Sequence, residues 1–257
     1  MLFEFYKYQG TGNDFIIIDD RVSVFPIADK DIIAAICERR MGIGADGLIL
    51  LRDHDKYDFE MIYFNSDGNQ SSMCGNGGRC IVAFAAILGI IENETVFMAI
   101  DGVHKARLNS EGVSLQMQEV KKIKRTISGL FLDTGSPHYV QMVDDFTTLN
   151  VDAEGRSIRN LANFMNDGVN VNFVLDADPL EVRTYERGVE AETLSCGTGV
   201  VAVALAMYYS NIIKDNIVDI KTKGGILNVD FEEYNGIYRN IWLSGDVSMV
   251  YAGEFEC

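Results

Sequence analysis

Two short segments concentrate the residues that could do chemistry. Cys74-Gly75-Asn76-Gly77-Gly78 and Cys196-Gly197-Thr198-Gly199 each set a cysteine directly before a Gly-x-Gly, and each opens an apolar run that lasts to Leu88 or to Tyr209. That pattern predicts a thiol at the start of a buried helix, where backbone N–H groups outside the helical ladder and the helix dipole favour negative charge. Such a position lowers a thiol's pKa. The same N–H groups can hold a carboxylate, and the glycines let a ligand approach the backbone. A lone cysteine more often packs than reacts, because free cysteine behaves as a small buried hydrophobe. Cys37, in an amphipathic segment, Cys80, inside an apolar run, and Cys257 keep that bland reading.

What separates Cys74 and Cys196 from the others is repetition. They lie 122 positions apart, and two further landmarks recur at nearly the same spacing. Thr11-Gly12-Asn13 is matched by Thr134-Gly135-Ser136, each followed by an apolar stretch ending in Asp19-Asp20 or Asp144-Asp145. Gly42-Ile43-Gly44-Ala45-Asp46-Gly47 before Leu48-Ile49-Leu50 has a looser counterpart in Gly168-Val169-Asn170-Val171-Asn172 before Phe173-Val174-Leu175. Three pairings in one order indicate an internal duplication. Two copies related by a pseudo-twofold would bring one thiol to each face of a bound molecule. Stereoinversion at a carbon bearing hydrogen needs that arrangement, with a base on one face and an acid on the other. The α-proton of an amino acid is weakly acidic, so a thiolate base needs a dry site preorganised for the developing charge.

The elements that must position these thiols follow from periodicity. Residues 15–18, 59–64 and 113–117 alternate or run apolar as strands do. Residues 29–41 read as a helix with Asp29 as its N-cap and Gly42 as its stop. The run after Cys196 is apolar all round, which suits a helix enclosed on every side. The expected class is α+β, with two pseudo-symmetric domains from the duplication. Each is a mixed β-sheet or barrel wrapped around a central buried helix. Residues 1–120 carry Cys74, residues 121–246 carry Cys196, and a C-terminal strand at about 247–257 returns to the first domain. The basic run Lys121-Lys122-Ile123-Lys124-Arg125 reads as a solvated connector between them.

Composition narrows the function. The 257 residues carry a formal charge of −16, 47% hydrophobic and 23% charged residues and three prolines, which describes a globular chain that repels nucleic-acid backbones. No apolar stretch reaches the length of a membrane span, and residues 1–5 lack a signal-peptide start, so a cytoplasmic location is expected. Five widely spaced cysteines argue for reduced thiols. His54, His104 and His138 lack metal-ligand spacing, and Gly10-Thr11-Gly12 lacks the third glycine of a dinucleotide loop, so neither metal nor cofactor is expected.

Gly12-Asn13-Asp14-Phe15, residues 42–47, Asn65-Ser66-Asp67-Gly68, Met73-Cys74-Gly75-Asn76-Gly77, Pro137-His138, Val169-Asn170-Val171 and Glu186-Arg187-Gly188 through Cys196-Gly197-Thr198-Gly199 together resemble the diaminopimelate epimerases. The likeness runs in order from residue 3 to about 250. It implies cofactor-independent interconversion of LL- and meso-2,6-diaminopimelate, on the route to lysine and peptidoglycan, by a homodimer whose partner molecule is this small diamino dicarboxylic acid. It also implies that Cys74 and Cys196 are the base and acid and that His138 and Glu186 poise them. By the same likeness Asn13, Asn65, Asn170, Glu186 and Arg187 contact the substrate's polar groups, while Gly75, Asn76, Gly197 and Thr198 offer backbone N–H groups to its reacting carboxylate. An arginine suits a carboxylate because its planar fork binds both oxygens.

Three positions depart from the family pattern. Ser136 stands where many members have Asn, Gly47 where many have Gln, and Thr198 where Ser is common. The alternatives from the residues alone are a proline- or hydroxyproline-type racemase, a thiol redox switch or binding protein that closes a Cys74 to Cys196 disulfide, and a cysteine hydrolase using His138 as base. The last leaves the second thiol without a purpose.

Overall fold

The computed structural model describes residues 1–109, 112–162, 164 and 168–256, so Cys257 lies outside the described residues. The chain divides into two compact units, Met1–Leu115 with Gly245–Cys257, and Gln116–Ser244.

In the first unit β1 (Leu2–Gly10) turns through Thr11 and Gly12, both at positive φ, into its antiparallel partner β2 (Asn13–Asp19). After α1 (Lys30–Cys37), β3 (Gly47–Arg52) lies parallel to β2 and antiparallel to β4 (Glu60–Asn65). A short β5 (Gln70–Ser71) doubles back on β4 and leads to α2 (Gly75–Ile87). The antiparallel series β6 (Glu94–Ala99), β7 (Gly102–Asn109) and β8 (Gly112–Gln116) follows.

The second unit repeats the scheme. β9 (Ile123–Arg125) pairs with β10 (Leu130–Asp133), which pairs with β11 (Pro137–Val143). After α3 (Val151–Arg159), β12 (Asn170–Leu175) runs parallel to β11 and antiparallel to β13 (Leu180–Glu186). β14 (Ala191–Thr193) folds back on β13 and leads to α4 (Gly197–Tyr209). β15 (Ile217–Thr222) and β16 (Gly225–Tyr234) form a hairpin, and β17 (Ile237–Gly245) completes the series. The last strand, β18 (Val247–Glu256), belongs to the first unit and lies antiparallel along β1, from Leu2 opposite Glu256 to Gly10 opposite Val247.

In each unit a parallel strand pair carries a helix on both faces. Ile33, Ile36 and Cys37 of α1 join Ile16, Ile18, Leu48 and Leu50 in one core layer, while α2 packs against β1, β2, β3, β7 and β18. α4 touches β10, β11, β12, β13, β15 and β16, and Val200 through Ala206 are wholly buried. Seven side chains in succession can be buried only where strands surround the helix, which is the enclosure its all-round apolar sequence requires.

Two elements differ from the sequence reading. Asp29 caps α1 through the N–H groups of Asp31 and Ile32, but the helix ends at Cys37. Residues 38–45 then fold back over its end, where Gly44 and Ala45 donate to the carbonyls of Ile36 and Cys37. Gly42 is a packing glycine here, since a Cβ would lie 2.1 Å from the Ala35 carbonyl oxygen. The basic run is only in part a connector. Its second half is β9, where Lys124 sits over the Phe131 ring and Arg125 over Tyr209, so the cationic heads cover aromatic faces.

Candidate active site

Cys74 and Cys196 are the N-cap residues of α2 and α4, both with extended backbone and neither capping its helix through its side chain. The helical ladders begin with Gly78 N–H on the Cys74 carbonyl and Val200 N–H on the Cys196 carbonyl. The N–H groups of residues 75–77 and 197–199 therefore stand outside the ladders, at the positive ends of the two helices.

Around Cys74 the first unit gathers a chain of amides. Cys74 Sγ lies 3.5 Å from Asn13 Oδ1, which also accepts from Asn76 Nδ2 at 3.3 Å. Asn13 Nδ2 donates to Asp46. Behind Asn76 stands Arg79, wholly buried, donating to Asn76 Oδ1 at 2.9 Å and to Thr11 Oγ1 at 3.1 Å. Burial pulls the Arg79 pKa below the usual arginine value. Asp46 and Asp14 are held by Arg39, and Lys7 pairs with Asp14. Burial pushes the Asp14 carboxyl up, but Arg39 and Lys7 outweigh it and hold the group at about 2. Asn65 ends β4 opposite Gly47. No side chain fits at position 47, because a Cβ would meet Phe64 O at 2.5 Å and Tyr63 Cε2 at 2.6 Å. The Tyr63 ring thus fills the space that a residue at 47 would use.

Cys196, buried, has a different neighbour set. Its Sγ is 3.6 Å from Thr198 Oγ1, which is 2.9 Å from His138 Nε2. His138 Nδ1 is 3.1 Å from Asn172 Nδ2, which also donates to Tyr139 O, and Asn172 Oδ1 accepts from Thr184 Oγ1. His138 and Asn172 are both at zero exposure. Burial, helped by the charge of Arg187, pushes the His138 pKa down to about 3, so the ring is neutral near pH 7. At the edge of this corner Asn170 Oδ1 accepts from Arg187 N–H at 2.9 Å, and Ser136 Oγ accepts from Asn170 Nδ2 and Arg187. Ser136 thus keeps a polar contact to both residues. Glu186 accepts from Thr193 Oγ1 at 2.9 Å.

Cys37 and Cys80 are buried in the core of the first unit. Burial pushes both Cys37 and Cys80 up to about 12. Among the described residues no three His, Cys, Asp or Glu side chains gather as metal ligands.

The family model described as diaminopimelate epimerase matches residues 5–123 and 130–250. A diaminopimelate epimerase of Flavobacterium psychrophilum is 51% identical over 96% of this chain and 97% of its own length. The chain belongs to the diaminopimelate epimerase family, and as a member it is an isomerase. A second relative, the diaminopimelate epimerase of Aquifex aeolicus, is 40% identical over 98% of both chains. Among solved structures, a phenazine biosynthesis protein of the PhzF family from Bacillus anthracis superposes with TM-score 0.80 over all of both chains at 13% identity. A hydroxyproline epimerase from Agrobacterium vitis gives 0.65 at 17% identity, over 98% of this chain and 92% of that one. At those identities the likeness is one of fold.

The structure adds Thr11, Asp46, Arg79, Asn172 and Tyr63 to the residues named from sequence. Asp46 and Asn172 lie inside segments the repeat had already aligned, but nothing in spacing distinguishes them from their neighbours. Arg79 carries a faint signal, a charge within an otherwise apolar run.

Proposed function

We propose that the chain interconverts LL- and meso-2,6-diaminopimelate without a cofactor. Cys74 and Cys196 exchange protons with the α-carbon from opposite faces. The observation that carries the reading is the matched placement of the two thiols, each at the positive end of a buried helix whose first N–H groups lie outside the ladder. Those N–H groups, at Gly75 and Asn76 and at Gly197 and Thr198, are suited to the carboxylate beside the reacting carbon. Their pull also stabilises negative charge as the proton leaves. Asn13, Asn65, Asn170, Glu186 and Arg187 take the remaining amino and carboxylate groups; three amides with an arginine and a glutamate favour a ligand charged at both ends. His138 and Glu186 tune the thiols without meeting the substrate's carbon. Because His138 is neutral, it acts through hydrogen bonding rather than charge.

The test is incubation of each diaminopimelate isomer with the chain and with Cys74→Ala and Cys196→Ala in deuterated water. The intact chain should equilibrate both isomers with deuterium at the α-carbon, and neither variant should. Exchange on proline with diaminopimelate untouched would overturn the substrate, and full turnover by either variant would overturn the mechanism. Within the described residues no helix is long and apolar enough to cross a membrane. The reading extends to a cytoplasmic homodimer, as the family likeness implies, to be checked by fractionation and sedimentation.

A further inference from the structure

The second helix of the first unit, α2, buries a cation that has no carboxylate beside it. Arg79 stands five residues after Cys74 and is wholly buried. Among the described residues it makes no ion pair, and its Nε has no hydrogen-bond partner. Asp246 is exposed and acts on it only from beyond ion-pair distance. Of the two sulfurs that act on it, Cys80 is held neutral by burial at about 12, and Cys74, on the two-thiol reading, passes through a neutral state in every turnover. The helix brings no relief, because its start is its positive end. A buried charge is ordinarily paired, since desolvation leaves an isolated one far more costly than a neutral group.

Hydrogen bonding does not account for the residue either. Nη2 donates to Asn76 Oδ1 at 2.9 Å and to Thr11 Oγ1 at 3.1 Å, and Nη1 meets Gly75 O at 3.4 Å. The Asn76 and Gly75 oxygens each have a second donor. Asn76 Oδ1 takes the Thr11 hydroxyl at 3.3 Å, which also gives that hydroxyl its own bond, and Gly75 O takes the Arg79 backbone N–H one helical turn on. In α4 the same position, five residues after Cys196, is Val201, also wholly buried. The repeated frame therefore has no need of a cation there. What Arg79 does lie against is the start of α2, at Gly75 and Asn76, whose backbone N–H groups stand outside the helical ladder. In a low-dielectric corner a fixed charge acts over several ångströms and adds to the pull of those groups on an anion.

We propose that Arg79 is the standing counter-charge of the substrate's reacting carboxylate, so that the α2 start is complete in charge only when that carboxylate binds. Arg79 does not touch the substrate. It is a specificity-determining residue that acts through the first turn of α2, making that turn distinguish a carboxylate from a neutral group of the same shape. This rests on the substrate reading above and adds to it the residue that carries charge selectivity at the α2 end. Removing the charge, or giving Arg79 a carboxylate of the chain's own, weakens the acid while leaving a neutral analogue little changed.

The experiment is calorimetric binding of equilibrated 2,6-diaminopimelate and of its diamide, in which neutral groups of the same shape replace both carboxylates. Both ligands are titrated into the full chain, Arg79→Met and Arg79→Lys. Arg79→Met should lower the ratio of acid to diamide affinity about tenfold or more, and Arg79→Lys, which keeps the charge, should hold it within about threefold. A loss of packing alone weakens both ligands alike and leaves the ratio where it was. An unchanged ratio in Arg79→Met, or an equal loss in Arg79→Lys, overturns the proposal. Should Arg79→Met fail to fold, Thr11→Asp decides: it keeps Arg79, sets a carboxylate beside Nη2, and suits the positive φ at position 11. That variant should lower the same ratio, and an unchanged ratio in it overturns the proposal. Failure of the acid to bind the unaltered chain would sink the substrate reading and this one together, whereas an acid that binds with a ratio indifferent to Arg79 sinks this one alone.

Discussion

Below the start of α2 the sheet presents Phe15, Ile49 and Tyr63; below α4 it presents His138, Asn172 and Thr184. The backbones repeat, strand for strand, while the side chains under the two helix starts differ, aromatic and aliphatic under α2 and polar under α4. A reversible inversion needs two groups of similar reach but opposite protonation. On the proposed mechanism, duplication supplies the similar reach, and the different surroundings of the two thiols set them apart. His138 at zero exposure shows what the polar floor costs, because a buried imidazole must stay neutral and fully bonded.

The harshest way to break the comparison is to remove either thiol. Cys74→Ala and Cys196→Ala should each lower kcat by about 10² to 10⁴-fold, measured as isomer equilibration, since each deletes one of the two proposed proton carriers. A variant losing less would show that its unit is not half of the reaction. The paired glycines come next. Gly199→Ala forces a methyl against the buried Asn172 amide and should cost about 1 to 3 kcal/mol in urea unfolding, whereas Gly77→Ala meets the mobile end of Ile49 and should cost less. Equal costs would mean the two floors are mechanically alike.

Acid sharpens the contrast by a different route. Between about pH 6.5 and 3 the unfolded chain protonates His138 while the native chain does not, so its contribution to stability, present above pH 6.5, is lost as pH falls toward 3. The loss should reach at most about 1.4 kcal/mol per pH unit, and His138→Gln should flatten it. Asp14, held at about 2, keeps its contribution above about pH 4 and loses it only below. Smallest of all, Cys37 and Cys80 should stay unalkylated in the native chain at pH 8, because burial sets both near 12.

The parts legible in the sequence are those that repeat or run apolar. Cys74 and Cys196 announced their helices because a Gly-x-Gly precedes ten or so apolar residues, and Asp29 announced a cap that its side chain makes. α3 went unread because its helix buries only Val151 and Gly155, too little for an apolar period; the signal was Asn150, whose side chain caps the helix at Ala153 N–H. Asn172 and Arg79 were illegible for another reason. A buried polar group's role depends on which donor or acceptor meets it in space: no sequence pattern brings Tyr139 O to Asn172, and the three-residue spacing of Asn76 and Arg79 on α2 does not by itself show that the pair is buried. Tyr63 shows the same limit, since only the strand register brings its ring to Gly47.

The return of β18 to β1 bears on how the molecule is made. The first unit pairs residues 2–10 with residues 247–256, so its closure spans nearly the whole sequence. During synthesis Cys74's unit must wait with one edge of β1 open until β18 is released, while the unit of Cys196, contiguous in sequence, can finish first. The newborn chain therefore acquires its two thiol corners at different times.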